Sequence, residues 1–359
     1  MKQPFTKILL LAIAAFSMFS NSATSQRLAA LDNYRIPLKV KSANIGKIIM
    51  PEAGHEISHQ WKFKIINDTA DIFRINSKGE LSLKRGKSLN PGGPFRYSLT
   101  ISTKRKGGGS ESKILEFELV KDEFLNNIVV AHRGAWRESS APQNSIKALE
   151  NAINIGCSWS EFDLWMSADG VPICNHDPSV KGYMVEDTDA SVLTSLELSP
   201  GERLPTVEEY IKKAMSQNKT GLVVEIKPSG KSPERTLELT DKVVHLVHSL
   251  KAQAWVTYIS FSYESLLRVM ELDPTAKTAY LGSNKTVEEI SRSGMWGIDF
   301  NISLFKKDPL LAERANKLGL TVNVWTVNSE EDLKLMMDMG VDYITTNEPE
   351  LLFRLIERL

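Results

Sequence analysis

Cysteine is nearly absent, with two in 359 residues, so a disulfide framework is excluded. Net charge is absent as well: 44 Lys+Arg stand against 44 Asp+Glu. That balance excludes a nucleic-acid binder working by bulk positive charge. The chain has no run of about 20 apolar residues, the length that spans a bilayer. No Gly-x-Gly-x-x-Gly follows the first strand of the second half, so a dinucleotide site has no support. What is present is an ordinary globular composition, 42% hydrophobic and 25% charged. At about 150 residues per domain, the length suits roughly two domains.

Residues 1–25 read as a secretory signal peptide. Lys2 and Lys7 precede an apolar run from Ile8 to Phe16, and the small residues Ser22-Ala23-Thr24-Ser25 follow. The run is too short for a membrane span, and no cysteine near Ser25 offers a lipid-anchored start. The mature protein is expected to be exported and soluble, periplasmic or secreted, in a bacterial envelope.

The remainder divides by rhythm and by charge. Residues 27–120 hold 17 Lys+Arg and 9 Asp+Glu, whereas residues 121–359 hold 25 and 35. The first part alternates in short runs, 34–40, 61–66, 79–84, 95–102 and 113–120. Turn clusters such as Asn90-Pro91-Gly92-Gly93-Pro94 separate them. This predicts a small antiparallel β-sandwich over 27–121. Its basic surplus suits a solvated basic face on a spacer module, or weak contact with a membrane surface or envelope anion.

From residue 126 the pattern becomes strand, helix, strand, helix. Eight strands are expected at 128–131, 159–164, 222–226, 256–260, 278–281, 297–301, 321–327 and 343–346. Apolar spacing at Ile146, Leu149, Ala152 and Ile153, stopped by Gly156, predicts one connecting helix; Pro205-Thr206 starts another. The expected fold is α/β, a TIM (β/α)8 barrel over 126–359. A doubly wound sheet is the alternative.

In a barrel, chemistry sits at the C-terminal strand ends. The first strand runs into His132-Arg133-Gly134. The second carries Glu161-Phe162-Asp163, whose alternation turns both carboxylates to one face. The third ends Glu225-Ile226-Lys227. Three carboxylates at one rim make an oxygen cage for a hard divalent cation. Asp169-Gly170 signals a two-residue hairpin, which places His176 opposite Asp163 and Cys174 opposite Trp165. Cys157 then lies far from Cys174, and both are expected to be buried free thiols. His245 and His248, mid-helix, are read as surface or core-edge residues, and His55 and His59 as loop residues. Residues 178–204 form a long connection, with Tyr183, Met184 and Val185 as lid or substrate wall.

The segment AHRGAWRESSAPQNSIKALENAINIGCSWSEFDLWMSADGVPICNHDPSV resembles the glycerophosphodiester phosphodiesterase family. LPTVEEYI, LVVEIKPSG, YISFSYESLL and VNVWTVNSEEDLKLMMDMGVDYITTNEPELL follow in the family's order. FRINSKGELSLKRGKSLNPGGPFRYSLTIST, earlier in the chain, resembles cadherin-like and immunoglobulin-like modules, without their calcium-ligand acids. The enzyme resemblance implies cleavage of glycerophosphodiesters to glycerol 3-phosphate and an alcohol. It implies His132 and His176 as the acid–base pair and Glu161, Asp163 and Glu225 as ligands of one divalent cation, magnesium or calcium. It also implies Arg133 and Lys227 at the phosphate and Trp325 on the pocket wall. Two positions depart from the family: Gln143 and Asn347 stand where carboxylates are usual. Both leave the implied ligands and histidines in place, so activity is expected. Two rival readings are a phospholipase-D-like hydrolase of lysophospholipids and a binding protein that has lost turnover.

Overall fold

The computed structural model describes residues 27–50, 61–107 and 112–358. The expected signal peptide, His55 and His59 lie outside them. Among the described residues eight strands precede the barrel: β1 (Ala30–Leu31), β2 (Arg35–Ile36), β3 (Asn44–Ile49), β4 (Trp61–Asp68), β5 (Phe73–Ile75), β6 (Glu80–Leu83), β7 (Arg96–Arg105) and β8 (Ser112–Lys121). They form two four-stranded sheets, β1-β3-β6-β5 and β2-β8-β7-β4. Leu31, Phe73 and Leu81 of the first share a core with Ile36, Leu99 and Phe117 of the second. One pairing departs from the antiparallel expectation: β2 runs parallel to β8, Arg35 opposite Val120.

The barrel strands are β9 (Val129–Ala131), β10 (Trp159–Met166), β16 (Gly221–Ile226), β17 (Val256–Ser260), β18 (Thr278–Tyr280), β19 (Gly297–Asn301), β20 (Thr321–Trp325) and β21 (Tyr343–Thr346). All eight pair in parallel, and β9 closes on both β21 and β10. This is a TIM barrel. Odd and even positions separate cleanly. Phe162, Val224 and Ile298 face the helices, whereas Trp159, Val223 and Ile259 fill the barrel interior. The connecting helix Ile146–Ile155 starts where Ser145 accepts from the Ala148 N–H. It stops at Gly156, whose φ of 87° suits a residue without Cβ. Helix Val207–Ala214 opens on a reciprocal cap between Thr206 and Glu209.

The β-domain closes the end of the barrel where the strands begin. Arg35 donates from Nε to the Ala254 carbonyl at 2.9 Å, and its guanidinium lies 3.5 Å over the Phe124 ring. Leu28 N–H bonds the Leu272 carbonyl (2.8 Å) and Asn218 Nδ2 the Lys121 carbonyl (3.0 Å). A cavity of about 80 Å³ remains between the two domains, lined in part by Tyr34, Arg35, Trp159, Tyr258 and Lys277. The first domain therefore sits away from the strand ends that carry the expected chemistry.

Two local expectations are corrected. The hairpin after β10 pairs Leu164 with Cys174 and Trp165 with Ile173 in β11 (Pro172–Cys174). That is one residue away from the expected register, so Cys174 is not opposite Trp165 and His176 is not opposite Asp163. The cause is Ser167, which closes a wider loop. Its N–H bonds the Val171 carbonyl, its hydroxyl bonds Asp169, and only Gly170 takes positive φ. A two-residue Asp-Gly turn needs positive φ at both positions. Both cysteines remain buried and free, as expected.

The second correction concerns the segment after β11, which is structured. It forms β12 (Ser179–Val180), β13 (Tyr183–Met184), a turn of 3-10 helix at Val185–Asp187, helix Ala190–Leu193, β14 (Glu197–Ser199) and β15 (Glu202–Arg203). Val185 is buried with Trp165, Ile173 and Leu193, so it lines no pocket, whereas Tyr183 and Met184 are exposed.

Candidate active site

At the C-terminal ends of the barrel strands, β9, β10 and β16 deliver the charged residues to one point. Oxygen atoms of Glu161, Asp163 and Glu225 all lie within 4.8 Å of one another, and all three residues are buried. Lys227, just past β16, bridges two of them: Nζ is 2.7 Å from Asp163 Oδ1 and 2.6 Å from Glu225 Oε1. Arg133 Nε lies 3.4 Å from Asp163 Oδ2. The backbone after β9 turns sharply to make this possible. Arg133 has φ of 58° and donates its N–H to Glu161 Oε2 at 2.8 Å. Gly134 follows at φ 80°, and a Cβ there would fall 2.6 Å from Ala148. Non-glycine residues in this region are uncommon and concentrate at functional sites.

Burial and like charge dominate the electrostatics. Burial, then Asp163 and Glu225, push the Glu161 carboxyl well above the usual range. Burial and Asp163 carry Glu225 up to about 8. Asp163 goes the other way: burial raises it, but Lys227, His176 and Arg133 outweigh burial and hold it below its usual value. Glu161 Oε1 is buried with no hydrogen-bond partner. Three converging carboxylates, two of them strained toward protonation and one with an idle oxygen, fit a hard divalent cation. An all-oxygen set of this kind disfavours softer metals.

The two histidines differ. His132 is largely buried, and burial together with Arg133 lowers it to about 4. Its Nδ1 meets Asn347 Oδ1 at 2.8 Å, and its Nε2 faces Glu161 at 4.0 Å. His176 is more exposed, with Nδ1 2.7 Å from Asp177 Oδ1. Its backbone carbonyl accepts from Trp165 Nε1 at 3.0 Å. It stands two residues beyond the end of β11, near enough for its charge to act on the Asp163 carboxyl. Trp325, at the end of β20, donates Nε1 to the Asp299 carbonyl and meets Phe261 edge-on at 5.6 Å. His245 is exposed, and His248 is tied to Asp273 at 2.8 Å beside the domain junction, away from the site.

The two departures from the expected motif are in contact with the site. Gln143 Oε1 accepts from Arg133 Nη1 at 2.6 Å, and Asn347 is the partner of His132. Sequence reasoning assigned no role to Asn144. Its side chain donates to Asp163 Oδ2 at 3.0 Å and accepts from the Asp163 N–H at 3.1 Å. Its φ of 57°, which asparagine tolerates, belongs to the folded turn and had no counterpart in the sequence pattern.

Residues 132–351 match the family model described as the glycerophosphoryl diester phosphodiesterase family. A glycerophosphodiester phosphodiesterase of Caldanaerobacter subterraneus subsp. tengcongensis is 29% identical over 249 residues. That match spans 65% of this chain and 99% of the relative. The crystal structure of a glycerophosphodiester phosphodiesterase from Parabacteroides distasonis is 34% identical, with a TM-score of 0.63. It covers 66% of this chain and 98% of that one. A phosphodiesterase from Oleispira antarctica, solved in complex with the product sn-glycerol-3-phosphate, shares the fold at 24% identity and a TM-score of 0.56. It covers 64% of this chain and 97% of that one.

Proposed function

The chain belongs to the glycerophosphoryl diester phosphodiesterase family, and from that premise we propose that it hydrolyses soluble glycerophosphodiesters to glycerol 3-phosphate and an alcohol, using one divalent cation, magnesium or calcium, and two histidines. The chain is an enzyme of the phosphoric diester hydrolase class. The observation that carries the finer reading is the convergence of Arg133 and Lys227 on the buried carboxylates of Glu161, Asp163 and Glu225.

Glu161, Asp163 and Glu225 would hold the cation, which supplies Lewis-acid polarisation and charge neutralisation at a phosphoryl oxygen. Arg133 and Lys227 bind the other phosphoryl oxygens and stabilise the charge that builds on them. His132, its Nδ1–H donated to Asn347, presents an unprotonated Nε2 to the site and takes the proton of the attacking hydroxyl. That hydroxyl belongs to water, which gives glycerol 3-phosphate directly, or to the substrate's own glycerol, which gives a cyclic phosphate that a water then opens. His176, oriented by Asp177 Oδ1 on its Nδ1, serves the leaving alkoxide from Nε2 as general acid. Trp325 and Phe261 wall the glycerol side.

The lysophospholipid reading draws no support from the first domain, which packs at the opposite end of the barrel. Export of the mature chain is part of the proposal and rests on the composition of residues 1–25; cell fractionation checks it. Phosphorus NMR of the purified protein with choline, ethanolamine, glycerol and inositol glycerophosphodiesters tests the reaction. Glycerol 3-phosphate is expected with magnesium or calcium and not with chelator. No turnover of any member under any condition overturns the reading.

A further inference from the structure

The outer face of the sheet β2-β8-β7-β4 sorts its charges. Near the barrel its acids are engaged: Glu116 with Lys251 at 2.7 Å, and Glu118 with Arg96 at 2.8 Å. At the far half the side chains on the same face are Lys62 and Lys64 from β4, Lys104 from β7 and Ile114 from β8, and Ile66 is exposed beside them at the β4 irregularity between Ile65 and Asn67. Lys62 stands directly opposite Lys104, and Lys64 shares a row with Ser102 and Ile114. All three lysines are exposed, and among the described residues none has a carboxylate within 4 Å. Ile66 is 50% and Ile114 54% exposed.

Like charges directly opposite on neighbouring strands destabilise a sheet. A surface serving only solubility gains more from an acid opposite Lys62 than from a second lysine. Two half-exposed isoleucines among those lysines gain nothing in water. Together the five side chains have the chemistry of an interfacial lipid contact, cations at headgroup level and apolar side chains below them. A dissolved acidic polymer would satisfy the lysines and leave the isoleucines without a role.

We propose that this half-face docks on an anionic lipid bilayer, with Lys62, Lys64 and Lys104 over the headgroups and Ile66 and Ile114 entering the interface. The inference is independent of the catalysed reaction. Because the β-domain caps the end of the barrel where the strands begin, docking leaves the catalytic mouth at the other end open to soluble substrate.

The test is sedimentation of the purified protein with phosphatidylglycerol or phosphatidylcholine vesicles across a salt series. All variants are prepared in the same form. Binding is expected only to the anionic vesicles and is expected to weaken with salt. At roughly fivefold per lysine near such a surface, the triple variant Lys62→Gln, Lys64→Gln, Lys104→Gln should lose about a hundredfold in partitioning. Ile66→Ser with Ile114→Ser should lose severalfold with the salt dependence unchanged. Lys104→Glu alone should weaken binding while its thermal midpoint holds or rises, because it relieves the Lys62 repulsion; this separates docking from unfolding. Hydrolysis of glycerophosphocholine should be unchanged throughout. The proposal is overturned by absence of binding to anionic vesicles, by equal binding of the triple-lysine variant, or by an isoleucine pair that proves indifferent.

Discussion

The two ends of the barrel are built from the same eight strands and do opposite things. At the C-terminal end, the ionisable side chains of Glu161, Asp163, Glu225 and Lys227 are buried together, with Glu161 and Glu225 pushed toward protonation and Glu161 Oε1 unpartnered. At the other end, Trp159 meets Tyr343 edge-on at 6.2 Å, and Arg35 of the β-domain closes over Phe124. Charge concentrated without full compensation costs stability, and a fold keeps it where it acts on a substrate. Aromatic burial costs nothing comparable and suits the end that only holds the domains together. Asp299 lies between the two, inside the barrel, with one oxygen unpartnered and burial lifting it to about 7.

Substitutions at the catalytic end should change rate and leave stability, and substitutions elsewhere should do the reverse. The largest effect is expected from His132→Ala or His176→Ala, a loss of about 10²–10⁴ in kcat with an unchanged thermal midpoint. A near-normal rate in either would break the comparison. Asp299→Asn comes next and acts on stability. The folded state keeps the Asp299 proton up to about pH 7, whereas an unfolded aspartate releases it near pH 4. The wild type should therefore lose stability as pH rises from about 4 to about 7. The asparagine variant should lose that decline, by up to about 4 kcal/mol at neutral pH, measured by urea titration at each pH. Asn347→Ala removes the partner that orients His132 and is expected to cost about 10–100-fold in kcat, with KM little changed in steady-state assays. Lys251→Ala breaks an exposed pair with Glu116 at the domain junction and is expected to shift the thermal midpoint barely and activity not at all.

The barrel was readable because its strands are continuous apolar runs between helix signals. The expected 256–260, 297–301 and 343–346 coincide with β17, β19 and β21. The first domain was harder. β1 and β2 have two residues each, and β3 is broken by an irregularity between Asn44 and Gly46 that erases its alternation. At the site, the strand-end motifs singled out Arg133, Glu161, Asp163, Glu225 and Lys227, and these side chains converge in the fold. The hairpin register failed because Ser167, a side chain outside the Asp-Gly pair, sets the turn. The contacts of Asn347 with His132, 215 residues apart, and of Asn144 with Asp163 depend on barrel closure, which no local pattern encodes.

On the proposed mechanism, the three buried carboxylates hold the cation on which turnover depends. The measurement that tests it most directly is the rate of glycerophosphocholine hydrolysis against free magnesium or calcium, for the wild type and for Glu161→Gln. The wild type should be silent in excess chelator and saturate with added cation. The variant, which keeps the shape of the side chain and loses its charge, should need far more cation or fail to respond. Turnover in chelator, or identical cation curves for both proteins, would contradict the claim.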